Sequence, residues 1–144
     1  MDKQQLYEDQ LMQEIIDLAL KEDHAHDDIT TNSLLEYDNK VLADVIAKES
    51  GFISGVRPFI ATFKTVDADV SVRVLKGDGC EVQKGDVALE IEGMESSILK
   101  AERTALNFLQ RLSGIATLTR AFVAKLKPYH TTLLDTRKTT PGMR

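Results

Sequence analysis

Over residues 4–21 the apolar side chains Leu11, Met12, Ile15, Ile16, Ala19 and Leu20 recur three and four apart, which places them on one face of an amphipathic helix. A polar stretch without periodicity, Glu22-Asp23-His24-Ala25-His26-Asp27-Asp28, ends that pattern. Val41-Leu42-Ala43-Asp44-Val45-Ile46-Ala47 is rich in β-branched residues and predicts a strand. Gly51 and Gly55 bracket a short apolar piece, and Arg57-Pro58 predicts a helix start, with the helix running to about Lys64. Val70, Val72 and Val74 alternate with Ser71 and Arg73, and Val87, Leu89 and Ile91 alternate with Ala88 and Glu90. Both are the period-2 pattern of half-buried strands. Between them, Gly77-Asp78-Gly79 and Lys84-Gly85-Asp86 are turn signals around Cys80-Glu81-Val82.

From Glu95 to about Leu112 the positions Ile98, Ala101, Ala105, Leu109 and Leu112 return to helical spacing. Gly114 predicts a break, with a second helix from about Ile115 to Lys127 that stops at Pro128. Thr131-Thr132-Leu133-Leu134-Asp135-Thr136 then predicts a last strand, which delivers Arg137-Lys138-Thr139-Thr140 into a Pro141-Gly142 turn. Adjacent Arg, Lys and Thr groups at a strand exit suit an anion pocket at the C-terminal end of that strand.

Composition sharpens this plan. In 144 residues, 42% hydrophobic content is enough for a packed core and excludes intrinsic disorder. No apolar run approaches the roughly 20 residues of a membrane span. Met1-Asp2-Lys3-Gln4-Gln5 has no apolar stretch of signal-peptide type, and the single Cys80 fits a reducing compartment, so the expected location is cytoplasmic. The net charge of −5 hides an asymmetry: residues 97–144 carry nine Lys or Arg against Glu102 and Asp135, a balance of +7, which leaves −12 for residues 1–96. An acidic chain is a poor nucleic-acid binder, whereas a basic third can concentrate small anions, or can simply be solvated helix faces.

Arg137 supplies a bidentate fork for carboxylate or phosphate, Lys138 a compact point charge, and Thr136, Thr139 and Thr140 hydroxyl donors. The same residues also suit a solvated basic loop. Arg103 stands beside the apolar stripe of its helix, where its stem either packs along the core edge or presents the guanidinium to a carboxylate. His24, His26, Asp27 and Asp28 imitate metal ligands but lack a distant partner set, so they read as a solvated turn with Asp28 or Thr30 capping the next segment. Cys80, with no CxxC and no neighbouring His, reads as a small turn residue. Walker A and G-x-G-x-x-G signatures are absent.

Three stretches together resemble the quinolinate phosphoribosyltransferase family, whose enzyme is also called nicotinate-nucleotide pyrophosphorylase (carboxylating). They are Ala101-Glu102-Arg103-Thr104-Ala105-Leu106-Asn107, Leu112-Ser113-Gly114-Ile115-Ala116-Thr117, and Asp135-Thr136-Arg137-Lys138-Thr139-Thr140-Pro141-Gly142-Met143-Arg144. Glu22-Asp23 with Asp27-Asp28-Ile29-Thr30-Thr31, Ala47-Lys48-Glu49-Ser50-Gly51 and Gly77-Asp78-Gly79 appear in family order as well. His24 and His26 depart from the glycine the family often has in that loop.

The resemblance implies an α/β fold in two parts. Residues 1–114 would form an N-terminal α+β domain with a mainly antiparallel sheet, and residues 115–144 the first strand of an α/β barrel whose remainder is absent. It implies transfer of phosphoribosyl from phosphoribosyl pyrophosphate to quinolinate, with decarboxylation to nicotinate mononucleotide in NAD biosynthesis. Substrate binding is implied for Arg103, Thr136, Arg137 and Lys138; no catalytic residue and no metal ligand is assigned within the chain. Mg2+ is expected with phosphoribosyl pyrophosphate, held by groups outside this sequence, and the chain alone is expected to be inactive. The partners implied are small anionic substrates and a second copy in a homodimer or higher homo-oligomer, with Arg103 serving the neighbour's site, and neither nucleic acid nor membrane. A molybdenum-transport-associated paralogue shares the fold and is the first alternative. A biotinyl or lipoyl carrier is the second, because residues 77–91 resemble its hairpins; there, however, Gly93-Met94-Glu95-Ser96 leads into a helix.

Overall fold

The computed structural model describes residues 3–25 and 37–140. Helix α1 spans Lys3–Glu22, strand β1 Lys40–Ile46, β2 Gly51–Phe52 and helix α2 Val56–Val66. Strands β3 (Ser71–Val74), β4 (Glu81–Val82) and β5 (Val87–Met94) come next, and helix α3 covers Glu95–Leu126. The antiparallel sheet has the order β1-β5-β3, and β2 pairs with β4 in a separate two-stranded ribbon.

The period-2 pattern holds at Leu89 and Ile91, but Ala88 on the opposite face is buried too, and Val74 on the edge strand β3 is 41% exposed. On β1, Val41, Ala43 and Val45 turn inward while Lys40, Leu42, Asp44 and Ile46 face out. On the central strand β5, Leu89 and Ile91 are buried. The outer face is solvated and carries opposite charges, as where Arg73 Nε donates to its cross-strand neighbour Glu90 at 2.6 Å. Against the inner face lie Phe59 and Phe63 of α2 and Ile98, Ala101, Ala105 and Leu109 of α3. The two phenylalanine rings meet at 5.1 Å between centroids, tilted by 53°. A smaller cluster forms where Ile16 and Leu20 of α1 and Ala25 pack with Phe108 of α3.

Both inner helices start on caps brought from elsewhere in the chain. Gly55 and Met94, at the N-cap positions of α2 and α3, make no side-chain cap bond. Instead Asp78, in the Gly77-Asp78-Gly79 turn, accepts from Val56 N at 3.0 Å. Asp38 accepts from Ser96 N at 3.0 Å and from Ser96 Oγ at 2.6 Å, and Asp67 accepts from Ser97 Oγ at 2.7 Å. Carboxylates placed there satisfy orphan N–H groups and face the positive end of the helix. α2 begins at Val56, one residue before the expected Arg57-Pro58.

Two expectations are corrected. Gly114 does not separate two helices: α3 passes through it as one element of 32 residues. The cause lies in another segment. Ser113 Oγ accepts from Ser54 N at 3.0 Å, Thr117 Oγ1 accepts from Phe52 N at 2.9 Å, and Arg120 lies 5.4 Å from the centre of the Phe52 ring. These supports, four and three residues apart on one face, outweigh the roughly 1 kcal/mol that a glycine costs a helix. The strand expected over Thr131–Thr136 does not form, and those residues are exposed loop. A strand exists through its ladder, and none of the described strands pairs with this segment.

Candidate functional site

Arg103, Asn107 and Arg111 recur every four residues on α3 and so share one of its faces. That face borders the C-terminal end of α1, because Phe108 packs with Ile16 and Leu20. Between the two helices lies an open groove of about 300 Å³, lined by Ala19, Glu22, Asp23, Thr104, Asn107 and Arg111 among others.

At its edge Arg103 Nη1 donates to Asp23 Oδ1 at 2.8 Å. The two partners are unequal, with side-chain accessibilities of 75% for Arg103 and 21% for Asp23. Asp23 is fixed by its backbone, since its N–H donates to Ala19 O at 3.0 Å to continue the last turn of α1. His24 then turns the chain with φ 53°, and buried Ala25 anchors it.

After α3, Tyr129 N donates to Leu126 O at 2.8 Å, and the chain continues as loop. Thr136, Arg137 and Lys138 are exposed, and a turn is closed by Lys138 N donating to Thr136 Oγ1 at 3.2 Å. The loop returns to α3, where Arg111 Nη2 donates to Thr140 Oγ1 at 3.1 Å. Arg103 therefore sits with Asp23 and the basic loop with Arg111, two groups about 12 Å apart along one helix at 1.5 Å per residue. Sequence reasoning names Arg103 and the loop but misses Arg111 and Asp23. The four-residue recurrence of 103, 107 and 111 is the available signal for Arg111. Glu22-Asp23 is noted only as a stretch in family order; its contact with Arg103, 80 residues away, gives no local signal.

The other candidates lie elsewhere. His26, Asp27, Asp28 and Thr30 fall outside the described residues. Among the described residues no group of three or more His, Cys, Asp or Glu side chains gathers as a metal cage. Cys80 is an exposed thiol. Lys84 stands at an exposed turn closed by Asp86 N donating to Gln83 O at 3.0 Å. The next strand, β5, is nevertheless the sheet's centre and leads straight into α3, unlike a carrier hairpin. No described helix is long and apolar enough to cross a membrane.

The fold and the basic helix face together define a two-layer α+β module that presents cations beside a groove. The family described as quinolinate phosphoribosyl transferase, N-terminal domain, matches residues 28–113, and its C-terminal domain matches residues 115–144. Nicotinate-nucleotide pyrophosphorylase (carboxylating) of Arabidopsis thaliana, chloroplastic, is 40% identical over 131 residues, which are 90% of this chain and 37% of that protein. A probable nicotinate-nucleotide pyrophosphorylase of Methanothermobacter thermautotrophicus is 35% identical over 92% of this chain and 48% of its own length. The solved nicotinate-nucleotide pyrophosphorylase from Francisella tularensis superposes with a TM-score of 0.86 at 35% identity, covering 92% of this chain and 48% of that one. The chain belongs to the quinolinate phosphoribosyltransferase family. It spans less than half the length of these three relatives.

Proposed function

We propose that this chain forms the N-terminal part and first anion-binding loop of an enzyme that moves phosphoribosyl from phosphoribosyl pyrophosphate to quinolinate, with decarboxylation to nicotinate mononucleotide. The observation that carries the reading is the face of α3 that presents Arg103 and Arg111, with the Thr136–Thr140 loop hydrogen-bonded to Arg111. Both substrates are polyanions. Arginine forks orient carboxylates, and Lys138 adds charge where a carboxylate or phosphate would rest. Fixed cations near the departing pyrophosphate and a cation-like ribosyl centre would supply electrostatic stabilisation. In this reading residues 1–114 are the N-terminal domain, residues 115–144 begin the barrel, and the setting is the cytoplasm. Mg2+ would arrive on the phosphates of the substrate rather than on the described residues.

The reading is tested by joining the chain, at Arg144, to the segment C-terminal to the matched stretch in the Francisella tularensis protein. The fusion should form nicotinate mononucleotide and pyrophosphate from the two substrates, and the 144-residue chain alone should not. Arg103→Ala should reduce kcat/KM of the fusion by about 100-fold or more, the scale of losing a fixed charged donor. A fusion that melts cooperatively yet shows no turnover would overturn the reading.

In the homodimer we propose, Arg103 serves the partner's barrel while Arg137 and Lys138 serve their own. Chains with Arg103→Ala and chains with Lys138→Ala should each be nearly inactive, and mixed dimers should regain one complete site in two. No recovery in confirmed hybrids would rule out action between subunits.

A further inference from the structure

Of the three polar residues that share one face of α3, the outer two have partners. Arg103 donates to Asp23 and Arg111 to Thr140. Asn107 stands between them, one helical turn from each, exposed and lining the groove beside α1. Its amide offers two N–H donors and an acceptor oxygen, and no described residue hydrogen-bonds it.

Asparagine is a costly choice for such a position. Inside a helix it is less favourable than alanine, glutamine, lysine or glutamate, because its short amide competes with the backbone for hydrogen bonds. A buried asparagine, or one bonded to a neighbour, returns that cost as structure. Asn107 is exposed and makes no such bond, so α3 carries the cost without a local return. Local rules broken in this way are expected where function overrides them. The surroundings narrow that function. Glu22 and Asp23 on the α1 side of the groove offset the charge of the arginines, so recognition here depends on directed hydrogen bonds as well as on summed charge.

We propose that Asn107 is a further binding residue for the dicarboxylate substrate, its Nδ2 N–H donating to a carboxylate oxygen that the Arg103 fork leaves open. This rests on the proposed function, in which Arg103 receives that substrate. One turn of helix sets the two residues about 6 Å apart along the axis, so Asn107 accompanies Arg103 to whichever barrel it serves. A carboxylate has about four acceptor positions and a bidentate arginine fills two, which leaves a dicarboxylate room for a second donor on the same face.

Two measurements test this. In the 144-residue chain, Asn107→Ala should slightly raise the urea midpoint, because alanine favours the helix and no internal bond is lost. A lower midpoint would make Asn107 a structural residue and overturn the proposal. In the fusion enzyme, Asn107→Ala should raise KM for quinolinate about tenfold, the scale of one hydrogen bond to a charged group, and leave KM for phosphoribosyl pyrophosphate nearly unchanged. Asn107→Asp, close in shape but anionic and without the N–H donor, should raise KM for quinolinate further. An Asn107→Asp enzyme that takes quinolinate as well as the parent does would overturn the proposal. So would equal shifts of both KM values in Asn107→Ala. Unchanged KM for quinolinate in Asn107→Ala, with the parent fusion active, would overturn it while leaving the functional reading intact. A folded parent fusion without turnover would remove both.

Discussion

The two halves of α3 are one helix held in two different ways. From Glu95 to Leu109 it buries Ile98, Ala101, Thr104, Ala105 and Leu109 against the sheet, α2 and α1, and its N-terminus is capped by Asp38. From Gln110 to Leu126 no residue is fully buried, and Ile115, Leu118 and Phe122 are more than half exposed. That half is held to the body by polar contacts from Ser113 and Thr117 and by Arg120 over Phe52. Helical geometry alone therefore does not report where a core ends. The first half belongs to the hydrophobic core; the second is tied beside it and lines, with β1 and β2, a larger groove of about 600 Å³.

The same substitution made in both halves is the strongest way to break this comparison. Leu109→Ala should cost about 2–5 kcal/mol in denaturant unfolding, because it removes buried methyl groups and leaves a cavity in the core that also holds Ile53, Phe59 and Ala105. Leu118→Ala, at 61% exposure, should change stability by no more than about 0.5 kcal/mol. Similar losses at the two positions would mean that the second half is covered in solution, and the contrast between the halves would fail.

This division also explains what the sequence made legible. Alternation along β3 and β5, β-branched content along β1, the three-and-four spacing on α1 and the Arg57-Pro58 start of α2 are local signals, and each predicted its element. Continuity through Gly114 was hidden because its support comes from Phe52 and Ser54, about 60 residues earlier. The missing strand at Thr131–Thr136 shows the converse: a β-rich pattern without a ladder partner gives loop. Arg103, Thr136, Arg137 and Lys138 were visible as residue types in family order. Their neighbours Asp23 and Arg111 belong to the tertiary arrangement that joins α1, α3 and the loop.

A smaller effect is expected where the two halves meet. Gly55 has φ +98°, and a Cβ there would lie 2.8 Å from Leu112 Cδ1 and 3.3 Å from Phe108 O. Alanine would have to adopt a left-handed backbone while pressing against the midpoint of α3. Gly55→Ala should therefore cost about 1–3 kcal/mol, read as a lower urea midpoint with an unchanged slope. A cost below about 0.5 kcal/mol would show that α2 and α3 meet there less closely than the backbone implies.

The smallest expected effect concerns the capped end. Hydrogen bonds from the Ser96 hydroxyl and then its backbone N–H hold Asp38 below the ordinary carboxylate range, with Lys100 assisting. The Ser97 hydroxyl and then the Asp69 N–H do the same for Asp67, with Lys64 assisting. A carboxyl whose pKa is depressed on folding stabilises the native state above its unfolded pKa, and loses that contribution as pH falls through its lower folded value. Acid should therefore loosen the first half of α3, while the second half has no carboxylate cap to lose. Asp38 is exposed and Asp67 only partly covered, so the effect is modest and adds to that of the other carboxylates. The double variant Asp38→Asn, Asp67→Asn isolates it: its urea midpoint should fall less than that of the unmodified chain between pH 6 and pH 3, values chosen to bracket the ordinary carboxylate range of about 4. Equal falls would mean that the caps contribute nothing through their charge, and that the packed half of α3 is held by burial alone.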